Sequence, residues 1–132
     1  MGQGIKTALA QICAEQFDVA PDSVAVAAGD TAVIPYGQGG FASRQTVTAG
    51  SAVHLAAVAV RDKALKVAAH LLEVSVSDLE LRDGRIEIAG APGSGLTLRE
   101  VAEAVAGVPG YSMVPTRVSR NAMAVRRQLP PG

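Results

Sequence analysis

The chain has 132 residues, one cysteine, no tryptophan, two phenylalanines, two tyrosines and no net formal charge. One cysteine excludes an intrachain disulfide and a cysteine-ligated iron–sulfur or zinc cluster. Twelve basic and twelve acidic residues cancel, which removes any overall charge that would recruit nucleic acid or an anionic membrane. No basic leader with an apolar core opens the chain, and Arg61, Asp62, Lys63 and Lys66 interrupt its best apolar run before it reaches membrane-spanning length. These absences predict a soluble, cytoplasmic protein. The length suits one domain and is too short for a multi-cofactor enzyme.

Glycine is abundant, at 14 residues, and its placement is informative. Gly2-Gln3-Gly4 runs into a predicted helix from Ile5 to Phe17, where Ile5, Leu9, Ile12, Cys13 and Phe17 recur at helical spacing. Cys13 on that side reads as a small core thiol. Pro35 to Arg44 carries Gly37, Gly39 and Gly40 and precedes a second helix, predicted from about Thr46 to Glu73. A helix start presents unpaired N–H groups at the positive end of its dipole, and glycine lets an anionic ligand come close. Glycine turns before helices are ordinarily just turns, so both readings fit the residues.

Between the helices, Ser23 to Ala28 reads as a short strand closed by Gly29-Asp30, and Thr31 to Ile34 as a second extended piece. The first half of the long helix, with Ala49, Gly50, Ala52, Val53, Ala56, Ala57 and Val60, is small or apolar on nearly every side and predicts burial. His54 within it reads as a hydrogen-bonded core histidine, since no second ligand sits at metal spacing. The second half turns Ala64, Val67, Ala68 and Leu71 inward. Leu79 to Arg82 and Arg85 to Ile88 alternate strictly around Asp83-Gly84, a two-residue hairpin signature. Pro92 to Gly95 reads as a linker, lacking the lysine and spacing of a nucleotide phosphate loop. Thr97 and Glu100 form a capping box for a last helix, with Gly107 as its stop. No acidic residue follows Glu103, whereas Arg117, Arg120, Arg126 and Arg127 do, so residues 108–132 read as an irregular basic tail behind a segment at 1–107. The fold class predicted is α+β, ordered helix, strand, long helix, β-hairpin, helix.

The ordered set Met1-Gly2-Gln3-Gly4, Gln11-Ile12, Gly29-Asp30-Thr31, Gly39-Gly40-Phe41-Ala42-Ser43-Arg44, Thr46 and Gly50 resembles the molybdenum hydroxylase family. That family includes xanthine dehydrogenase, aldehyde oxidase and aerobic carbon monoxide dehydrogenase. The resemblance covers about residues 1 to 105 and lies in one stretch of the molybdopterin-binding large subunit. It implies molybdenum held by a pterin, often extended in bacteria by a cytosine dinucleotide. It further implies that Gly2, Gln3 and Gly4 bring a side-chain amide against the cofactor. Gly40, Phe41, Ala42 and Ser43 match contact positions, Arg44 would face a phosphate, and Thr46 would cap the long helix or reach a phosphate. Where some relatives carry a hydroxyl residue, this chain has Gly40 and Gln45.

The catalytic base that the resemblance implies is a glutamate near the end of the large subunit, beyond this length. Asp30, Glu73 and Glu100 are therefore poor candidates for it. Iron–sulfur and flavin groups would reside on partner subunits. The expectation is a cofactor-binding segment that is not catalytic alone, needs the remaining large-subunit segments, and reads as a detached or truncated piece. An alternative from another class is a stand-alone interaction or homo-oligomerisation module that keeps the fold without cofactor.

Overall fold

The computed structural model describes residues 3–29, 32 and 39–105. Its elements run α1 (Ile5–Phe17), α2 (Gln45–Leu72), β1 (Leu79–Arg82), β2 (Arg85–Ile88), β3 (Ala91–Thr97) and α3 (Leu98–Ala104), with single 3-10 turns at Pro21–Ser23 and Val76–Asp78. The result is an α+β arrangement of helices and one antiparallel sheet in the order β1-β2-β3.

Two small-residue helices meet closely. Ala10 and Ala14 of α1 and Gly50 and Ala57 of α2 are the buried positions of this half. A side chain at Gly50 would begin 3.0 Å from Ile12 Cδ1, so glycine there permits the approach. Four residues further along α1, the Gln16 side-chain Oε1 accepts from Arg61 Nη1 at 3.1 Å. Moving forward along α1 thus moves forward along α2. An antiparallel pair would put Gln16 and Arg61 about 20 Å apart along the axis, beyond side-chain reach at 1.5 Å rise per residue. The helices therefore run in the same general sense.

The second half of α2 supplies the main core. Val67, Ala68 and Ala69 pack with Leu79, Ile86 and Val101, and Ile86 and Val67 are the largest side chains fully removed from solvent. The hairpin forms as its alternation predicts. Leu79 faces Ile88 and Leu81 faces Ile86 on one side of the ladder, while Glu80 and Arg82 face water. Asp83 (φ 49°) and Gly84 (φ 68°) both take the left-handed conformation of a type I′ turn. That turn is docked: the Asp83 N–H donates to Asp18 Oδ2 at 2.8 Å, tying the end of α1 to the hairpin. The capping box is also present, with Thr97 Oγ1 accepting from the Glu100 N–H at 3.2 Å and Glu100 Oε2 accepting from the Thr97 N–H at 2.7 Å.

Several expectations need correction. Residues 24–28 are not in a sheet; Val24 is extended, but no described strand pairs with this stretch. Alternation alone cannot supply a ladder partner. Pro92 to Gly95 is not a linker, because it lies within β3 and Gly95 pairs with Glu87. Residues 92–94 loop out between the Glu87–Gly95 and Ile88–Ala91 pairs, held by Ser94 Oγ donating to the Ala91 carbonyl at 2.6 Å. The first half of α2 is largely uncovered, with Val47 and Leu55 70% and 68% exposed, and His54 is exposed rather than in the core. Cys13 is half-buried. Residues 31 and 33–34, Gly107 and the tail lie outside the described residues.

Two outcomes follow from the sheet and its cap. A Cβ at Gly95 would collide with the Ile86 carbonyl oxygen and lie 2.8 Å from Glu87 Cα. Gly95→Ala should therefore lower unfolding stability by about 1–3 kcal/mol in urea titration. The second concerns acid. The Thr97 backbone bond, then its hydroxyl, hold the Glu100 carboxyl below its ordinary value, with a smaller contribution from the Arg85 charge. A depressed folded-state pKa gives stability that is complete above the ordinary glutamate range and lost as pH falls through the depressed value. Wild type and Glu100→Gln should thus differ in denaturant midpoint at neutral pH and converge in acid.

Candidate cofactor site at two helix N-termini

Because α1 and α2 run in the same sense, their N-termini fall at the same end of the pair. Gly4 lies about two turns before the Ile12 contact, and Arg44 a little under two turns before Gly50. Gly4 is the N-cap of α1 (φ 71°), with no side-chain cap and no acidic residue in the first turn. Arg44 is the N-cap of α2, again with no side-chain cap and no acidic residue in the first turn. Each start therefore keeps its positive dipole end uncompensated by a carboxylate of its own first turn.

The loop entering α2 is strained. Gly39 has φ 79°, and then Ala42 (φ 50°) and Ser43 (φ 56°) are consecutive left-handed residues bearing side chains. That conformation costs a non-glycine residue roughly 1–2 kcal/mol. The turn is closed by the Arg44 N–H donating to the Phe41 carbonyl at 3.1 Å. Phe41 is 69% exposed, and Gly39, Gly40, Ala42, Ser43, Arg44 and Thr46 are all exposed. Gly40 has an open Cα face apart from Gln45, whose Oε1 would lie 2.7 Å from an added Cβ.

The structure thus assembles Gln3 and Gly4 with Gly40, Phe41, Ala42, Ser43, Arg44 and Thr46 at one end of the helix pair. Gly2 lies outside the described residues. Gln3, Ser43, Arg44 and Thr46 make no side-chain hydrogen bond or ion pair with any other described residue. Thr46 does not cap α2; the N-cap is Arg44, and Thr46 sits inside the first turn. The left-handed pair at Ala42 and Ser43 escaped sequence reasoning, because neither residue type favours that region. No signal short of the folded loop reveals it.

The acids lie elsewhere. Glu73 is the left-handed residue that ends α2, at the opposite end from the glycine turns. Glu100 is engaged by Thr97. Asp30 lies outside the described residues. No group of three His, Cys, Asp or Glu among the described residues could hold a metal ion. No helix among them is long and apolar enough to cross a membrane.

Comparison with known proteins gives this geometry a family. Residues 1–125 match the molybdopterin cofactor-binding domain, running past the residue-105 limit of the motif resemblance. The chain is 43% identical over 104 residues to the 6-hydroxypseudooxynicotine dehydrogenase complex subunit gamma of Paenarthrobacter nicotinovorans, covering 79% of this chain and 13% of that protein. It is 37% identical over 130 residues to the carbon monoxide dehydrogenase large chain of Afipia carboxidovorans, covering 98% of this chain and 16% of that one. The solved carbon monoxide dehydrogenase from Oligotropha carboxidovorans superposes with a TM-score of 0.69 at 40% identity, covering 82% of this chain and 13% of its counterpart. The chain belongs to the molybdopterin cofactor-binding domain family of molybdenum hydroxylase large subunits. It spans about a seventh of the length of these relatives.

The strained turn carries its own prediction. Ala42→Gly removes a left-handed Cβ and should raise unfolding stability by about 1 kcal/mol in thermal or urea denaturation. A loss of stability would show that the turn relaxes away from the left-handed form in solution.

Proposed function

We propose that this chain supplies part of the cradle for a molybdenum–pterin cofactor in the large subunit of a molybdenum hydroxylase, and that it turns over no substrate alone. The observation that carries the reading is the pair of uncapped helix starts at one end of α1 and α2, each without an acidic first turn. Such a pair suits an anionic, extended ligand, which favours the dinucleotide form with its pyrophosphate.

The residues fit such a group by their chemistry. The Gln3 side-chain amide both donates and accepts, matching the mixed donors and acceptors of a pterin edge. Gly4 and Gly40 leave the backbone open to close approach, and Gly2 adds a residue without a side chain to the sequence of the first turn. Backbone groups at Phe41 and Ala42, the Ser43 hydroxyl and the Thr46 hydroxyl add donors at the second helix start. Arg44 adds a charge-assisted donor for phosphate. When bound, the cofactor supplies two-electron redox chemistry at molybdenum. The chain's own part is to bind and orient it.

The remaining requirements fall to partners. The chain covers 13–16% of the relatives named above, whose names mark them as large chains or complex subunits. Other large-subunit segments would supply the base and substrate pocket, and iron–sulfur and flavin subunits the electron path. On this reading the chain works in the cytoplasm as part of a multi-subunit oxidoreductase. The alternative, a cofactor-free oligomerisation module, draws no support from the comparisons.

The test is molybdenum and pterin content of the chain purified from a host that makes the cofactor. Near-stoichiometric content is expected for wild type. A Gln3→Ala, Ser43→Ala double variant should bind the cofactor about thirtyfold more weakly, at roughly 1 kcal/mol per lost hydrogen bond. Unchanged retention in the double variant would overturn the assignment of these two residues.

A further inference from the structure

From Gln45 to Val60, α2 carries no Asp, Glu, Lys or Arg; the first charge is Arg61. Its inner side meets α1 through Gly50 and Ala57. Its opposite side is bare. Val47, Leu55 and Ala59 fall on one i±4 row, with the small hydroxyl residue Ser51 between the first two, and Ala52, Ala56 and Val60 fall on the next; the six apolar positions and Ser51 are all exposed. Val47, Leu55 and Val60 are 70%, 68% and 57% exposed. One turn further on, the same side becomes wet, with Asp62, Lys63 and Lys66 exposed. Apolar character on every side marks a helix covered all round, and the change at Arg61 sets where the cover stops. A face about 20 Å long, by helical rise, is thus left without its neighbour.

We infer that this uncharged outer face of α2 is the surface on which another segment of the large-subunit polypeptide docks, beside the cofactor cradle. The inference rests on the cradle reading and adds the contact that joins this chain to the rest of that subunit. Three observations favour that occupant. The relatives carry more than four-fifths of their length outside the matched stretch, so ample large-subunit chain exists to cover the face. Phe41, four residues ahead of α2 in the candidate site, is exposed as well, so apolar surface is left bare at both places. The cradle half of the molecule also has little core of its own. Its buried positions are alanines and one glycine, whereas the large buried side chains lie at the other end.

The shape narrows the partner. Adjacent i±4 rows with alanine at three of six positions form a shallow groove that accepts the i±4 ridge of a second helix at a steep crossing angle. A docking helix would present apolar side chains without a buried unpaired charge.

The test uses the full tagged chain recovered from cells that naturally make it, with bound polypeptides identified by peptide mass mapping and molybdenum measured on the same sample. Wild type should bring down a polypeptide whose sequence matches large-subunit regions outside this stretch. Leu55→Glu should lose it, while Lys66→Glu, on the wet half, should keep it. Leu55 is exposed, so the variant should fold, and unchanged amide exchange in β1 and β2 checks this. Recovery of only a second copy of this chain, or equal recovery with Leu55→Glu, would overturn the proposal. Loss of molybdenum with the partner retained would count against the cradle and leave the docking face standing.

Discussion

The structure depends on the close approach of α1 and α2 at Gly50. Glycine inside a helix costs backbone stability, yet any side chain there would press on Ile12. With Ala10, Ala14 and Ala57 also small, the backbones sit near each other and the two helices keep a common direction. That direction is what matters for function. It carries Gln3-Gly4 and the Gly39 to Arg44 turn, far apart in sequence, to the same end. Were the pair antiparallel, each turn would face a different solvent region and neither alone would hold a large cofactor.

The two ends of α2 do different work. Its C-terminal half rests on the sheet and α3 through Val67, Ala68, Ile86 and Val101, a compact core for so short a chain. The Asp18 carboxylate on the Asp83 amide then fastens α1 to the same hairpin. Its N-terminal half meets α1 and leaves its outer face exposed. The larger core lies at one end and the candidate cofactor site at the other. Loops and helix starts that bind ligands are commonly held this way by a rigid scaffold. The strain at Ala42 and Ser43 sits at the binding end, where left-handed backbone re-aims N–H groups that a regular turn would point elsewhere.

Local chemistry in the sequence determined much of this. The two long helices, the Asp83-Gly84 hairpin and the Thr97–Glu100 capping box each follow from residues within a few positions of one another. The motif order around Gly2, Gly40 and Ser43 carried the family. Each of these rests on short-range sterics or hydrogen bonding, which the sequence encodes directly. Tertiary structure decided the rest. Val24 to Ala28 alternate like a strand but find no partner among the described residues. Gly95 joins a ladder because Ile86 and Glu87 come close, which no linker composition reveals. His54 and Val60 read as core and stand exposed, because no described element packs over that side of α2. Burial is a property of neighbours brought together by the fold, which the local sequence pattern does not encode.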